Sequence, residues 1–272
     1  MAKRLLFVIT MYTFILVGCQ NDKFNIPADF TEKQTFMSKD LSINKTFILE
    51  DIILVGLGDS LTQGVGDEHN FHGYIGRLKE EMSNFTGVKD VELFNLAKRG
   101  KRSDQLLEQL KSGEVDEELR KADFIMMTIG GNDIMRIVKQ DLFRLRIDAF
   151  QNELIEFTQR YQNSVNEIRK LNPDAPIVLI GLYNPFSVVT DQKNEFDQIV
   201  MDWNKSIKNV VSSDTNACFV PVDDLFNSNI DLVYHTDFFH PNSKGYEHMT
   251  DRILESLETC GLNKLTNGEI DF

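Results

Sequence analysis

Ile52-Ile53-Leu54-Val55-Gly56-Leu57-Gly58-Asp59-Ser60-Leu61-Thr62-Gln63-Gly64-Val65-Gly66 is the stretch on which the fold turns. The run from Ile52 to Leu57 is apolar without alternation, which suits a strand of a parallel sheet covered on both faces. Glycines 58, 64 and 66 then punctuate a turn. Ser60 therefore falls at the strand's carboxyl end, the edge of an open α/β sheet at which ligands bind.

Outward from this segment, apolar runs alternate with helical patterns from Asp51 onward. Strands are expected at Ile52 to Leu57, Val91 to Leu96, Phe124 to Ile129, Ile177 to Ile180 and Cys218 to Val222. Helices are expected at Tyr74 to Ser83, Ser103 to Lys111, about Gln140 to Lys170, Glu195 to Ser212 and Ser243 to Thr259. Five strands separated by helices imply a five-stranded parallel sheet, and right-handed crossovers then give an α/β, flavodoxin-like three-layer α/β/α sandwich. In the long helix, Leu154, Ile155, Tyr161, Val165, Ile168 and Leu171 recur at helical spacing and read as core. Pro173 and Pro176 close it before the next strand.

The chain has 272 residues, 42% of them hydrophobic and 26% charged, which fits one globular domain over residues 51–272. Formal net charge is -13 and Lys and Arg form no stripe, so nucleic acid is disfavoured as a partner. No Cys/His cluster or acidic loop has metal-ligand spacing, and neither metal nor cofactor is expected.

The first residues read as targeting rather than fold. Lys3 and Arg4 precede a mainly apolar run from Leu5 to Val17, too short for a mature membrane span, and Gly18-Cys19 follows. Leu16-Val17-Gly18-Cys19 resembles the lipobox of bacterial lipoproteins. That resemblance implies a signal peptide over residues 1–18, lipidation of Cys19 and a place outside the cytoplasm, anchored to the bacterial cell membrane. A diacylglyceryl group brings two chains, enough for stable anchoring. Residues 19–50 are polar and weakly periodic and read as a tether, whose flexible reach would be roughly 30 Å. Phe30, Phe36, Phe47 and Ile48 mark its latter part as able to pack on the domain. With Cys19 acylated, Cys218 and Cys260 remain. Pairing and separation both fit the spacing, and the expectation is two free, buried thiols, since free cysteine behaves as a small hydrophobe.

The chemistry rests on Ser60 and on Asp237-Phe238-Phe239-His240 near the other end of the chain. A serine hydroxyl is a weak nucleophile at neutral pH and needs an imidazole to take its proton; a carboxylate on the imidazole's far nitrogen fixes the tautomer. Asp237 and His240 stand three apart, so one local turn can hold both. His69, His72, His235 and His248 are rival bases, of which His235 is nearest but lacks an aspartate three residues before it. Trp203, the only tryptophan, sits in a helical pattern and reads as packing.

Four segments fall at strand ends in order: Gly58-Asp59-Ser60, Asn95 through Gly100, Gly130-Gly131-Asn132-Asp133, and Asp237-Phe238-Phe239-His240-Pro241. Together they resemble the four blocks of the GDSL, or SGNH, hydrolase family, over about residues 51 to 260. The resemblance implies Ser60 as nucleophile, His240 as base and Asp237 as its orienting carboxylate. It assigns the oxyanion hole to the backbone N–H groups of Ser60 and Gly100 and the side-chain amide of Asn132. Lys98-Arg99-Gly100-Lys101-Arg102 is more basic than the family's small-residue pattern, and these cations either face solvent or meet an acidic group of the substrate. Asp59, Asp133 and Asn95 read as braces of their loops.

The family resemblance also implies an ester substrate and an acyl-serine intermediate resolved by water. The family covers lipases, lysophospholipases, thioesterases, arylesterases and carbohydrate O-acetyl esterases, so the alcohol and acyl chain stay open. Phe71, Tyr74, Phe143, Tyr183, Phe186 and Phe238 are candidates to line an apolar acyl pocket. The leading expectation is a surface-anchored esterase or acylhydrolase acting on lipid, lysolipid or small acyl esters. An O-acetyl esterase of cell-envelope glycan is the alternative, and a catalytically silent ligand-binding lipoprotein is a second, against which the complete Ser60, Asn132, Asp237 and His240 set argues. Oligomeric state is left open.

Overall fold

The computed structural model describes residues 49–140, 146–187, 193–227, 232–268 and 270–271. They belong to the larger of two units into which the chain divides, Asn44–Phe272. The expected signal peptide, Cys19 and nearly all of the tether lie outside the described residues, as does Phe143.

Five strands form one sheet: β1 (Glu50–Gly58), β2 (Val88–Asn95), β3 (Phe124–Thr128), β4 (Ile177–Ile180) and β5 (Ala217–Val220). Their order is β2-β1-β3-β4-β5 and every pair is parallel. β1 starts one residue before the expected domain boundary, with Glu50 opposite Val88. The order reverses between β1 and β3, so the connections leaving those two strands diverge and open a crevice at their carboxyl ends. Ser60 follows β1 and Asn132 follows β3.

The strands alternate between two cores, as a period of two requires. Ile52 and Leu54 of β1, Phe124 and Met126 of β3, and Val178 and Ile180 of β4 face helices α2 (Gly73–Met82), α8 (Ser243–Cys260) and α9 (Leu262–Leu265). Val55, Leu57, Ile125, Met127, Ile177 and Leu179 face α3 (Ser103–Ser112), α4 (Asp116–Lys121), α5 (Gly131–Gln140), α6 (Ile147–Leu171) and α7 (Lys193–Val211). A further short helix, α1 (Ser60–Gln63), occupies the turn after β1.

Several expectations need correction. The helix anticipated from about Gln140 begins only at Ile147, as α6, and a helix not anticipated, α5, precedes it and ends at Gln140. Ile155 is exposed; the core face of α6 is carried by Phe150, Phe157, Tyr161, Val165 and Ile168, since Phe157, not Ile155, keeps the spacing to Tyr161 and Val165. Trp203 does pack as expected: it is buried and stacks on Phe157 with ring centroids 4.3 Å apart. Cys218 and Cys260 are not free thiols. They form a disulfide, with Cα atoms 6.0 Å apart, because α8 packs along β5 and brings its last residue back to the strand.

Candidate active site

The nucleophile turn is built by glycine and a buried carboxylate. Gly58 has φ +109, and a Cβ there would lie 1.7 Å from the Thr128 carbonyl oxygen, so only glycine lets β1 close on β3 at this point. That carbonyl accepts the Asp59 N–H at 3.0 Å. Asp59 caps α1: its Oδ1 accepts the Leu61 N–H at 3.1 Å and the Thr128 hydroxyl at 2.8 Å. Burial dominates the carboxyl's titration and pushes it up to about 7, against the lowering effect of those hydrogen bonds. Ser60 is thus the first residue of α1, 4% exposed, and among the described residues no acceptor is seen for its N–H.

His240 arrives on a loop closed by the Tyr234–Pro241 bridge and by the hydrogen bond from His235 N–H to the His240 carbonyl, 2.8 Å. Asp237 organises the turn from within. Its Oδ1 accepts the backbone N–H of Phe239 and of His240, each at 3.0 Å, and its Oδ2 lies 2.6 Å from His240 Nδ1. Burial by itself would raise this carboxyl, but the ring and backbone donors of His240 and the Phe239 N–H outweigh it and hold it at about 2. An ionised Asp237 only accepts, so Nδ1 carries the proton and Nε2 is left as an acceptor. Nε2 lies 3.0 Å from Ser60 Oγ. Hydroxyl, imidazole and carboxylate therefore form one hydrogen-bonded chain.

Two of the other histidines, His235 and His69, are engaged elsewhere. His235 Nδ1 is 3.8 Å from the other oxygen of Asp237 and 3.4 Å from the Thr236 hydroxyl, on the exposed side of the turn. His69 Nδ1 meets Ser243 Oγ at 3.0 Å. Ser243 also receives Arg77 Nη2 at 2.5 Å and donates its N–H to Glu68, while Arg77 pairs with buried Asp67. These contacts tie the 65–72 loop to the start of α8, next to His240.

The second and third blocks lock together beside Ser60. Asn95 donates to the Thr62 carbonyl at 2.8 Å, Lys98 N–H to the Gly58 carbonyl at 2.9 Å, and Arg99 N–H to Gln63 Oε1 at 2.6 Å. Asn132 Nδ2 donates to the Lys101 carbonyl at 3.1 Å. Asp133, buried, accepts the Ser103 hydroxyl at 2.6 Å and its N–H at 3.0 Å; Arg160 in turn donates to Ser103 Oγ at 2.8 Å and pairs with Glu153. Ser103, Arg160 and Thr128 carry no sequence signal of their own, because the contacts that join them to Asp133 and Asp59 span 27 to 69 residues.

Ser60 and Asn132 line one apolar groove with Leu61, Ile134, Met135 and Phe186. Tyr183 joins them and anchors the histidine loop through its hydroxyl, 2.6 Å from the Phe239 carbonyl. Of the other aromatic candidates, Tyr74 is in the core, bonded to the Thr62 hydroxyl at 2.6 Å, and Phe71 and Phe238 are exposed. Gly100 is not in that groove's wall. It has φ +79, its N–H has no acceptor among the described residues, and it lines a neighbouring polar cleft.

This arrangement has the parts for acyl transfer: an activated hydroxyl, a base with its tautomer fixed, and N–H donors nearby. Residues 57–248 match the model of the GDSL-like Lipase/Acylhydrolase family. An uncharacterized protein, YpmR, of Bacillus subtilis is 36% identical over 223 residues, covering 81% of this chain and 87% of the relative. The spore germination lipase LipC of Bacillus licheniformis is 28% identical over 209 residues, 72% of this chain and 92% of its own. Among solved structures, the lipase Lip_vut3 from a goat rumen metagenome superposes with a TM-score of 0.68 at 25% identity, over 79% of this chain and 99% of that one. With the sheet order, the serine turn and the match over 57–248 in agreement, the chain belongs to the GDSL-like lipase/acylhydrolase family and is a carboxylic ester hydrolase.

Proposed function

We propose that the protein cleaves esters of an apolar acyl chain through an acyl-serine intermediate on Ser60. The observation that carries this reading is the hydrogen-bonded chain from Ser60 Oγ through His240 to Asp237. Ser60 Oγ attacks the ester carbonyl carbon as its proton passes to His240 Nε2; Asp237 holds Nδ1–H and stabilises the imidazolium. The tetrahedral oxyanion is met by the N–H groups of Ser60 and Gly100 and by the Asn132 amide. Collapse expels the alcohol, which takes the proton from His240, and water repeats the sequence to release the acid and restore Ser60.

The groove walls of Leu61, Ile134, Met135 and Phe186 favour an acyl group longer than acetyl, because each methylene buried there adds about 0.8 kcal/mol of binding. Export and anchoring at Cys19 belong to the same proposal. The Cys218–Cys260 disulfide supports a site outside the reducing cytosol, where such bonds persist.

The test is hydrolysis of p-nitrophenyl esters from acetyl to palmitoyl by the full-length protein. Rates that rise beyond acetyl and fall for Met135→Trp on the longer chains are expected. Activity confined to the acetyl ester would move the reading to a glycan O-acetyl esterase. For the anchor, Cys19→Ala is expected to release the protein from membranes without changing turnover, and retention after alkaline wash would contradict it.

A further inference from the structure

We infer that the basic loop beside Ser60 is a subsite for a phosphate carried by the alcohol half of the ester; the inference rests on the esterase reading above. Residues 98–102 hold four of the chain's 29 Lys and Arg in a protein of net charge -13. Arg102 is committed to Asp104 at 2.9 Å. Lys98 and Arg99 are exposed, and among the described residues no carboxylate lies within ion-pair distance of either. Their backbone is fixed on the nucleophile turn through Gly58 and Gln63, so these two charges are held at the rim of the site.

Lys101 supplies the independent observation. It is 9% exposed, and among the described residues its ammonium finds only the neutral amide oxygen of Gln109. A buried charge with no counter-ion costs free energy that an anion alongside would recover. Burial shifts its titration downward, with Lys98 adding to the shift and Glu114 opposing it. Lys98, Arg99, Gly100 and Lys101 line one polar cleft of about 580 Å³, together with Glu108 and Glu114, neither of which reaches ion-pair distance of the three cations.

One hydrogen bond links a wall of the cleft to a wall of the apolar groove. Gly100 is in the cleft's wall, and Asn132, in the wall of the groove, is hydrogen-bonded to the Lys101 carbonyl. An ester whose carbonyl oxygen sits between Gly100 and Asn132 has its acyl chain in the groove and its alcohol in the cleft. A phosphate on that alcohol meets a point charge from Lys98 and a bidentate fork from Arg99. Such an alcohol belongs to a lysolipid headgroup or to an acylated polyol phosphate; the recognition chemistry is the same.

The test compares 1-butyrylglycerol with 1-butyrylglycerol 3-phosphate, two soluble esters that differ only in the phosphate. The full-length protein is expected to favour the phosphate ester in kcat/KM by about tenfold or more at low salt. The preference should shrink as salt rises and fall to within about twofold of unity in Lys98→Ala/Arg99→Ala. Equal rates in the wild type, or a preference untouched by the double substitution, overturn the inference. Binding is read separately by titrating glycerol 3-phosphate into Ser60→Ala protein, with and without the double substitution. If neither ester is cleaved, the esterase reading fails, and the subsite then stands on a loss of affinity of about tenfold in that titration or falls if no millimolar binding is seen. Lauroyl esters separate the two sources. Faster turnover of the lauroyl phosphate ester indicates a lysolipid, and faster turnover of the butyryl one indicates a polyol phosphate, the inference standing in either case.

Discussion

His240 Nε2 stands 3.0 Å from Ser60 Oγ although 180 residues separate them in the chain. The contact exists because β1 delivers Ser60 to the sheet's carboxyl edge and the bridge between Tyr234 and Pro241 presents the histidine over it. Asp237 completes the line by bonding both the ring and the backbone N–H of His240.

Asp237→Asn should leave the fold intact and lower kcat by roughly 10²–10⁴-fold. The amide of asparagine donates to Nδ1 and moves the ring proton to Nε2, where it can no longer accept from Ser60. Steady-state kinetics on p-nitrophenyl butyrate read this directly, and a loss below tenfold would mean that a backbone carbonyl or His235 can replace the carboxylate.

Gly58→Ala should destabilise the protein by about 3 kcal/mol or more, because the new Cβ strikes the Thr128 carbonyl and the residue must hold a left-handed φ. Gly131→Ala is the control. Its Cβ meets nothing within 4 Å, and a change within about 1 kcal/mol is expected. Urea denaturation of both variants decides; similar midpoints would contradict the close approach of β1 and β3.

Asp59 gives a pH dependence of stability with a definite sign. Its carboxyl is raised from 3.8 to about 7 in the folded protein, chiefly by burial, so the folded state holds the proton more tightly than the unfolded chain. The associated stability is full below the unfolded value and is lost as pH rises through about 7. Asp59→Asn keeps an acceptor for Leu61 and Thr128 and removes the titration. The difference in unfolding free energy between variant and wild type should therefore grow between pH 4 and 8, by an amount on the order of 2–4 kcal/mol. Parallel curves would show that Asp59 stays ionised throughout.

Replacing both Cys218 and Cys260 with serine should lower stability by about 2–4 kcal/mol, the usual range for a bond closing a loop of this kind, here across a sequence separation of 42. Denaturation of the wild type with and without reductant should show the same loss. Identical midpoints would return the pair to free thiols.

Much of the fold was legible because β1, β3 and β4 are continuous apolar runs and the helices between them are amphipathic. The apolar run Ile177 to Ile180 coincides with β4 at both ends. The turn after β1 hid α1, since a four-residue helix leaves no periodicity, and α5 hid behind a glycine pair that reads as a loop. The candidate pair Asp237 and His240 is legible because in this chain the two stand three residues apart, and Ser60 because it ends the apolar run of β1. The braces were only half legible. Asp133 carries a sequence signal, but Ser103 and Arg160, which hold it, come from α3 and α6 and meet only after folding. The disulfide was missed for the same reason: nothing local tells that the end of α8 returns to β5.

The most direct measurement of the central claim is labelling of the full-length protein with a fluorophosphonate, followed by mass spectrometry of the modified peptide. The account predicts one adduct, on Ser60, formed at a rate that falls in His240→Ala and vanishes in Ser60→Ala together with ester hydrolysis. Labelling that persists in Ser60→Ala, or hydrolysis that survives it, would contradict Ser60 as the nucleophile.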